Sequence, residues 1–273
     1  MQPTRPRLVA SDVDGTLLDR HERVSARTRA AVHAIVAAGD VFVLATGRPP
    51  RWITPVVDQL GLAPRAVCAN GAVLYDSETD RVISARTLEV TALAEIAAVG
   101  GSLLPGCGLA VERVGESAHD SATPQFVSEP GYEHAWLNPD NTETSAEDVL
   151  SAPAVKLLVR QSSMTSGAMA AAITAHVEHL ADVTFSTDNG LIELSAPGVS
   201  KASGLIEVGR TLGIDAADMV AFGDMPNDVP MLTAVGHGVA MGNAHPDAIA
   251  AADEVTATNV DDGVARVVER WWS

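Results

Sequence analysis

The sequence predicts an α/β protein whose core is a Rossmann-like, doubly wound parallel sheet, with an α+β domain inserted into that core. Three observations lead to this prediction. Strand signals alternate with helical signals near both ends of the chain, as they do in parallel sheets with right-handed crossovers. The alternation weakens between about residues 84 and 196. At 273 residues, the chain also exceeds the usual size of a single hydrophobic core.

The first part of the core is expected over residues 1–83. An apolar run predicts a strand at Leu8–Ser11, and a helical pattern over Ser25–Ala38 leads to a second buried strand at Val41–Ala45. A second helix is expected near Pro50–Leu60. This strand and helix order predicts neighbouring parallel strands.

A β-hairpin is expected to close this first part of the chain. The apolar segments Val67–Ala69 and Ala72–Tyr75 flank Asn70-Gly71, and the Asn-Gly pair supplies the positive φ angles that a two-residue turn requires. We therefore expect Asn70 to act through the conformation of the turn alone.

The inserted domain is expected over residues 84–196. Its strand and helix signals do not follow the βα order of the core, so they predict an α+β module of their own. The expected elements are a helix at Val90–Val99, a loop-rich region at Gly115–Pro139, a strand at Val155–Arg160, a helix at Ser166–Leu180, and strands at Val183–Ser186 and Leu191–Ser195.

The core is expected to resume over residues 197–273. Its strands are predicted at Met219–Phe222, Gly238–Met241 and Glu254–Val255, each followed by a helical or turn signal. Ligands of such sheets bind at the carboxyl ends of the strands. Polar motifs that directly follow the core strands are therefore candidates for the functional site.

The most informative of these motifs is Asp12-Val13-Asp14-Gly15-Thr16, directly after the first strand. Two carboxylates one residue apart, followed by Gly and Thr, direct side chains and backbone N–H groups into a small space that could hold a metal and a phosphate. In this arrangement Asp12 can attack a phosphoryl group, and Asp14 can carry a proton.

Three further motifs follow in order, and together the four resemble the haloacid dehalogenase (HAD) superfamily of phosphatases. They are Thr46-Gly47-Arg48 after the second strand, Gly198–Lys201 at a helix start, and Gly223–Asp228 after a later strand. These motifs, with Asn70-Gly71, resemble those of the Cof-type branch. The resemblance therefore implies that the inserted domain is a C2-type cap.

The resemblance implies that Asp12 is the nucleophile of an aspartyl-phosphate mechanism and Asp14 the general acid and base. It also implies a set of phosphate ligands: the N–H groups of Val13 and Gly47, and the side chains of Thr46, Lys201 and Asn227. From position alone, Thr46 could instead be a helix N-cap.

The expected cofactor is Mg²⁺, because the ligands are oxygen atoms and the substrate is a phosphate. The resemblance implies the ligands Asp12, Asp224 and the carbonyl of Asp14, with Asp228 orienting Lys201 or a metal-bound water. Four aspartates against one lysine would otherwise repel a phosphate dianion by several kcal/mol, even at an effective dielectric of about 20.

Two residues of the inserted domain are candidates for substrate contact. Lys156, Leu158 and Arg160 share one face of the strand predicted at Val155–Arg160, and apolar residues occupy the other face, which should pack on helices. We expect Lys156 and Arg160 on the more open face. The alternative is that the stem of Lys156 covers apolar surface while its ammonium reaches water.

Composition limits the class of partner. The formal net charge of −17 argues against nucleic acid. No apolar run approaches the length of a membrane span, and no signal segment is recognised at the N-terminus, so we expect a cytoplasmic protein without membrane contact. The cysteines Cys68 and Cys107 show no metal-ligand spacing and are expected to be free thiols.

These observations favour a Mg²⁺-dependent phosphomonoesterase, monomeric or homodimeric, acting on a small phosphorylated metabolite such as a sugar phosphate. A phosphomutase or phosphotransferase on the same scaffold is the alternative among enzymes. A non-catalytic sensor of phosphometabolites is a further alternative, which the complete set of motif residues disfavours.

Overall fold

The computed structural model describes residues 5–272, which divide into two compact units. The first unit is formed by the chain up to Ile83 and again from Ser200 onward, and the second is Ser84–Val199. The second unit is thus an insertion between two parts of the first. No helix within residues 5–272 combines the length and the apolar character that crossing a membrane requires.

The described residues form fourteen strands and nine α-helices. The strands are β1 (Leu8–Ser11), β2 (Val41–Ala45), β3 (Arg65–Cys68), β4 (Val73–Asp76), β5 (Arg81–Ala85), β6 (Gly108–Glu112), β7 (Phe126–Ser128), β8 (Asn141–Glu143), β9 (Lys156–Arg160), β10 (Asp182–Thr184), β11 (Leu191–Ser195), β12 (Met219–Gly223), β13 (His237–Ala240) and β14 (Glu254–Val255). The helices are α1 (Ala26–Ala37), α2 (Thr54–Leu60), α3 (Val90–Leu103), α4 (Ala146–Val149), α5 (Ser166–Val177), α6 (Lys201–Leu212), α7 (Val229–Ala234), α8 (Pro246–Ala251) and α9 (Gly263–Val268).

The first unit is built on an eight-stranded sheet in the order β14-β13-β12-β1-β2-β3-β4-β5. The six strands from β14 to β3 are parallel, with Leu8 of β1 in register with Met219 of β12 on one side and Val41 of β2 on the other. The chain proceeds from β1 outward through β2 and β3, and later from β12 outward in the opposite direction. The topological switch point therefore lies between β1 and β12, where ligands of such sheets bind. The predicted α/β fold class with a doubly wound core is confirmed.

Local sequence explains where the helices beside the site begin. The hydroxyl of Ser25 accepts a hydrogen bond from the N–H of Thr28 and caps α1. Ser200 and Ser203 form a reciprocal capping box at the start of α6, which ends at Gly213 in the left-handed conformation. The cap of α6 fixes the position of Lys201, its first residue.

The second unit is built on a six-stranded sheet in the order β10-β11-β9-β6-β7-β8. Leu157 and Val159 of β9 belong to a buried cluster with residues of α3 and α5, such as Leu93 and Ile173. The expectation that this face of β9 packs on helices is confirmed.

The structure corrects several element predictions. β7 lies inside the region expected to be loop-rich, and β5, β6 and β8 had no recognised strand signal. β6 begins with a glycine and β8 is polar throughout, so neither shows a clear strand pattern. The helix expected near Pro50–Leu60 is a short 3₁₀ turn, Pro50–Trp52, followed by α2.

Candidate active site

Asp12 lies at the carboxyl end of β1, and its N–H continues the ladder by donating to the carbonyl of Phe222 at 2.9 Å. The chain then turns away at Gly15, whose φ is +74°. A Cβ added at Gly15 would lie 2.2 Å from Oδ2 of Asp224, so only glycine lets the turn approach this carboxylate so closely. The turn therefore brings the first motif against the last.

Lys201 joins two of the carboxylates. Its Nζ donates to Oδ1 of Asp12 at 2.6 Å and to Oδ1 of Asp228 at 2.7 Å, and its side chain is completely buried. Burial alone would lower the pKa of Lys201, but the two carboxylates outweigh it and raise the pKa. The ammonium is therefore held in its charged form between Asp12 and Asp228.

Asp228 and Thr16 fix the position of Asp224. Oδ2 of Asp228 accepts hydrogen bonds from the N–H groups of Asp224 and Met225 at 2.9 and 3.0 Å. The hydroxyl of Thr16 donates to Oδ1 of Asp224 at 2.9 Å. Because Asp228 also binds Lys201, a single buried carboxylate orients both the cation and the loop that carries Asp224.

The acidic cluster has the chemistry of a divalent-cation site. Carboxylate oxygens of Asp12, Asp224 and Asp228 lie within 4.8 Å of one another, and all three residues are buried. Burial, followed by the charge of Asp228, raises the pKa of Asp224 to about 7. Burial likewise holds the pKa of Asp12 well above its usual value, although Lys201 opposes the shift. A hard divalent cation with oxygen ligands, such as Mg²⁺, fits this cluster and would favour the ionised carboxylates.

Asp14 lies apart from this cluster and is paired with Arg48. The Nε and Nη2 atoms of Arg48 donate to the two carboxylate oxygens of Asp14 at 2.8 and 2.6 Å. The side chain of Asp14 is 59% exposed, whereas that of Arg48 is 15% exposed. A carboxylate held this way at the solvent edge can exchange protons with water or with a leaving group.

Thr46 and Gly47 follow β2 and face the last motif. Thr46 is buried, and its hydroxyl accepts the N–H of Arg48 at 3.0 Å, two residues on. The next helical turn begins only at Pro50, so the alternative of a helix N-cap at Thr46 is wrong. A Cβ added at Gly47 would lie 3.1 Å from Oδ1 of Asn70 and 3.9 Å from Nδ2 of Asn227, which places this loop beside two side-chain amides.

The structure thus brings most of the predicted site residues to one edge of the sheet. The ends of β1, β2 and β12 and the start of α6 carry them: Asp12, Val13, Asp14, Thr46, Gly47, Lys201, Asp224, Asn227 and Asp228. The side chain of Val13 is buried and its carbonyl accepts the N–H of Leu18 at 3.0 Å.

Lys156 and Arg160 belong to the second unit, and the expectation that they lie on an open face is wrong. Lys156 is 4% exposed and its Nζ lies 2.5 Å from Oε1 of the buried Glu193. Arg160 is 8% exposed and donates to the carbonyls of Glu133 and Asn189. This face of β9 is buried because Leu158 packs with side chains of neighbouring strands and of a loop, such as Phe126 and Tyr132.

Sequence reasoning did not assign roles to three residues that the geometry places in the site. Thr16 and Arg48 stand inside the quoted motifs and contact Asp224 and Asp14, respectively. Asn70 is buried, and its side chain accepts a hydrogen bond from Asn227 at 3.1 Å. The predicted hairpin is present, but four residues, Ala69–Ala72, connect β3 and β4 instead of two, and the Asn70 side chain makes a contact beyond the turn.

The chain matches known proteins over almost its full length. A family model described as haloacid dehalogenase-like hydrolase matches residues 9–268. A 5-amino-6-(5-phospho-D-ribitylamino)uracil phosphatase of Bacillus subtilis is 28% identical, with 99% of each chain covered. An HMP-PP phosphatase of Serratia proteamaculans is 29% identical, over 88% of this chain and 85% of that protein. A solved HAD subclass IIB sugar phosphatase has a TM-score of 0.77 at 23% identity, with 97% of this chain and 98% of that chain covered.

Proposed function

This chain belongs to the haloacid dehalogenase-like hydrolase family and is a phosphatase of that family, and we propose that it is a Mg²⁺-dependent phosphomonoesterase that hydrolyses a sugar phosphate through an aspartyl-phosphate on Asp12. One observation supports the proposal most strongly. Asp12 lies at the end of β1 with one oxygen against the buried ammonium of Lys201, in a cluster with Asp224 and Asp228. This arrangement holds a nucleophilic carboxylate beside the cation that a transferred phosphoryl group needs.

Asp12, Asp224 and the backbone carbonyl of Asp14 would hold Mg²⁺. When bound, the cation would neutralise charge on the phosphoryl oxygens and screen the carboxylates from the incoming dianion. The fully buried Lys201 contributes a fixed positive charge beside Oδ1 of Asp12. Asp228 keeps that ammonium in place through its own ion pair.

The two half-reactions use Asp12 and Asp14. An oxygen of Asp12 attacks phosphorus, the ester bond breaks, and Asp14 donates a proton to the departing alcohol oxygen. Asp14 then accepts a proton from the water that attacks the phosphorus of the aspartyl-phosphate, which releases inorganic phosphate and restores Asp12. The exposure of the Asp14 carboxylate supports this role, because both the leaving group and water must reach it.

The N–H groups of Val13 and Gly47 and the side chains of Thr46 and Asn227 are the proposed ligands of the phosphoryl oxygens. Donors aimed at the oxygens where charge develops lower the barrier of phosphoryl transfer. The closeness of Gly47 to the Asn227 amide supports this assignment.

The charge of the second unit supports a sugar monophosphate as the substrate. Residues 84–195 contain four basic and fifteen acidic side chains, a field that disfavours molecules with several phosphates. The relative that is 28% identical has a phosphorylated ribityl compound in its name, and the structural neighbour is a sugar phosphatase. A neutral, hydroxyl-rich leaving group suits both observations.

A panel of phosphate esters, assayed with Mg²⁺ and without an added acceptor, tests the proposal. We expect release of inorganic phosphate, with hexose and pentose monophosphates preferred over nucleoside triphosphates and bisphosphates. Asp12→Asn, purified identically, is the control for contaminating phosphatases. A clear preference for triphosphates would refute the substrate class, and transfer that requires an alcohol acceptor would identify a phosphotransferase or phosphomutase instead.

A substrate contact by Lys156 or Arg160 stays a prediction. Lys156→Met should raise KM for the preferred sugar phosphate much more than KM for p-nitrophenyl phosphate, because a small activated ester offers little for a distant residue to contact. Equal effects on both substrates would leave Lys156 as the structural partner of Glu193.

A further inference from the structure

We propose that Asn70 is a positioning residue that orients the amide of Asn227 toward the transferred phosphoryl group. This inference rests on the proposed function of Asn227 as a phosphate ligand. It concerns a residue at the turn between β3 and β4, which the sequence alone indicates as a hairpin turn.

The hydrogen bond between the two amides is the first observation. Nδ2 of Asn227 donates to Oδ1 of Asn70 at 3.1 Å, and the two residues are 6% and 3% exposed. An Asn amide can bind in two orientations that exchange its N and O atoms, and the hydrogen-bond network selects between them. Because Oδ1 of Asn70 is an acceptor, it selects the orientation in which the NH₂ group of Asn227 points toward Asn70.

The oxygen of the Asn227 amide, Oδ1, has no hydrogen-bond partner among the described residues that could orient the amide. Oδ1 of Asn227 is buried and accepts no hydrogen bond from any described residue. Among the described residues, the hydrogen bond to Asn70 is therefore the contact that orients this amide. Asn70 holds it, and the second proton of Nδ2 is left to donate to a phosphoryl oxygen.

The backbone of the turn is the second observation. Ala69 and Asn70 have φ values of +49° and +57°, and both are buried. Glycine adopts such angles without steric cost, so a purely conformational requirement at position 70 would be met at least as well by glycine. The turn conformation alone therefore does not require the Asn70 amide, which the hydrogen bond to Asn227 uses.

The turn also touches the other phosphate-binding segments. The N–H of Asn70 donates to the carbonyl of Thr46 at 3.0 Å, and that of Ala69 donates to the carbonyl of Arg48 at 2.9 Å. On its other side, a Cβ added at Gly71 would lie 2.0 Å from the carbonyl oxygen of Ser200, the residue before Lys201. The backbone that carries the Asn70 side chain is thus fixed relative to the loop after β2 and the start of α6.

The test is a double-mutant cycle with Asn70→Gly, which removes the side chain and permits the same φ, and Asn227→Ala. We expect Asn70→Gly alone to lower kcat/KM by about tenfold, the typical effect of losing one buried hydrogen bond. In the Asn227→Ala background the same change should alter kcat/KM less than twofold, because Asn70 acts through the missing amide.

Asp80→Gly is the matched control, since Asp80 also has positive φ, at +49°, but lies in the exposed turn between β4 and β5. It should leave the kinetics unchanged.

A tenfold loss that persists without the Asn227 side chain would overturn the proposal and indicate that Asn70 acts independently. No loss in Asn70→Gly would return Asn70 to a purely conformational role. Should Asn70→Gly fold poorly by thermal denaturation, Asn70→Asp gives a second comparison, because it keeps the acceptor atom but adds negative charge. Because the acceptor is kept, the exchange of the Asn227 side-chain amide protons with water should stay at the wild-type rate, and faster exchange would contradict the proposal.

One measurement is independent of turnover. In ¹⁵N-labelled protein, the side-chain amide protons of Asn227 should exchange with water faster in Asn70→Gly than in the wild type. An unchanged exchange rate would overturn the positioning role. Asn227→Ala without a kinetic effect would instead refute the proposed phosphate contact of Asn227, so the two failures are distinguishable.

Discussion

Both lysines of this protein are buried in ion pairs with carboxylates: Lys201 with Asp12 and Asp228, and Lys156 with Glu193. All sixteen other basic residues are arginines. At Lys201 the ammonium lies between two carboxylates in a fully buried space, where a compact cation fits and a planar guanidinium would displace its neighbours. Residue type at this position follows from the size and charge of the surrounding groups.

Asp12→Asn should abolish turnover while the protein stays folded, because an amide cannot attack phosphorus. Asp14→Asn should permit phosphoenzyme formation with an activated ester but slow its hydrolysis by about 10²–10⁴-fold, the usual contribution of general-base assistance. Rapid-quench measurement with a ³²P-labelled activated ester would detect the trapped phosphoenzyme. Near-normal turnover by Asp12→Asn would refute the covalent mechanism.

Gly15→Ala should impair activity through Asp224. The new Cβ would lie 2.2 Å from Oδ2 of Asp224 and would also require alanine at φ +74°, so the carboxylate or the turn must move. We expect the Mg²⁺ concentration for half-maximal activity to rise at least tenfold. Gly39→Ala is the matched control, because Gly39 has a φ of +80° but no atom within 4 Å of an added Cβ. Equal losses in both variants would assign the effect to backbone strain.

At the scale of single elements, a surface ion pair links the edge strand β14 to the residues after α9. The guanidinium of Arg270 donates to both oxygens of Glu254 at 2.9 and 2.6 Å, and His237 also contacts this carboxylate. The hydrogen bond from Arg270 is the main cause that lowers the pKa of Glu254 below its usual 4.5. The pair therefore stabilises the ionised form of Glu254 in the folded state.

Arg270→Met should lower the melting temperature at neutral pH by a small amount. A partly exposed pair contributes about 0.2–1 kcal/mol, which corresponds to a few degrees at most. Because the folded pKa of Glu254 lies below the unfolded value of 4.5, this stability is fully present above pH 4.5 and is lost as the pH falls through the folded pKa. Thermal melts of wild type and variant between pH 3 and pH 8 would measure the difference, with Arg29→Met, an exposed change on α1, as the control. A melting-temperature difference between wild type and Arg270→Met that grows toward low pH would contradict this account.

At the scale of the whole molecule, the site joins segments from both ends of the chain. Asp12 and Lys201 are 189 residues apart, and Thr16 and Asp224 are 208 residues apart, yet each pair is in direct contact. The insertion of the second unit between β5 and α6 leaves the first unit as one continuous sheet. Binding of a cation to the acidic cluster should therefore stabilise the first unit as a whole.

Mg²⁺ should raise the melting temperature of the wild-type protein, and chelation with EDTA should reverse the rise and abolish activity. A cation that binds only the folded state adds about 2.7 kcal/mol at a concentration one hundred times its Kd. Asp224→Asn should show a much smaller rise, since it removes one carboxylate of the cluster. Differential scanning calorimetry across a Mg²⁺ titration would measure both. Equal rises in wild type and variant would indicate that the cation binds elsewhere.

The sequence by itself determined most of the core sheet and most of the site. β1, β2 and β14 of the core sheet have the bounds that the sequence predicts, its edge strand β5 was not predicted, and the residues that follow β1, β2 and β12 lie together as expected. The physical reason is topological: parallel strands with right-handed crossovers bring their carboxyl ends to one edge, so a local motif is enough to place its side chains.

Only the tertiary structure decided the environment of Lys156, the strands β6 to β8, and the contact between Asn70 and Asn227. Lys156 and Glu193 are 37 residues apart, and Asn70 and Asn227 are 157 apart. None of these four residues carries a local sequence signal that identifies its partner. β6 owes its place to pairing with β7 and β9, because burial between strands compensates for a weak strand pattern. Burial and hydrogen bonding between distant segments, rather than local propensity, determine these features.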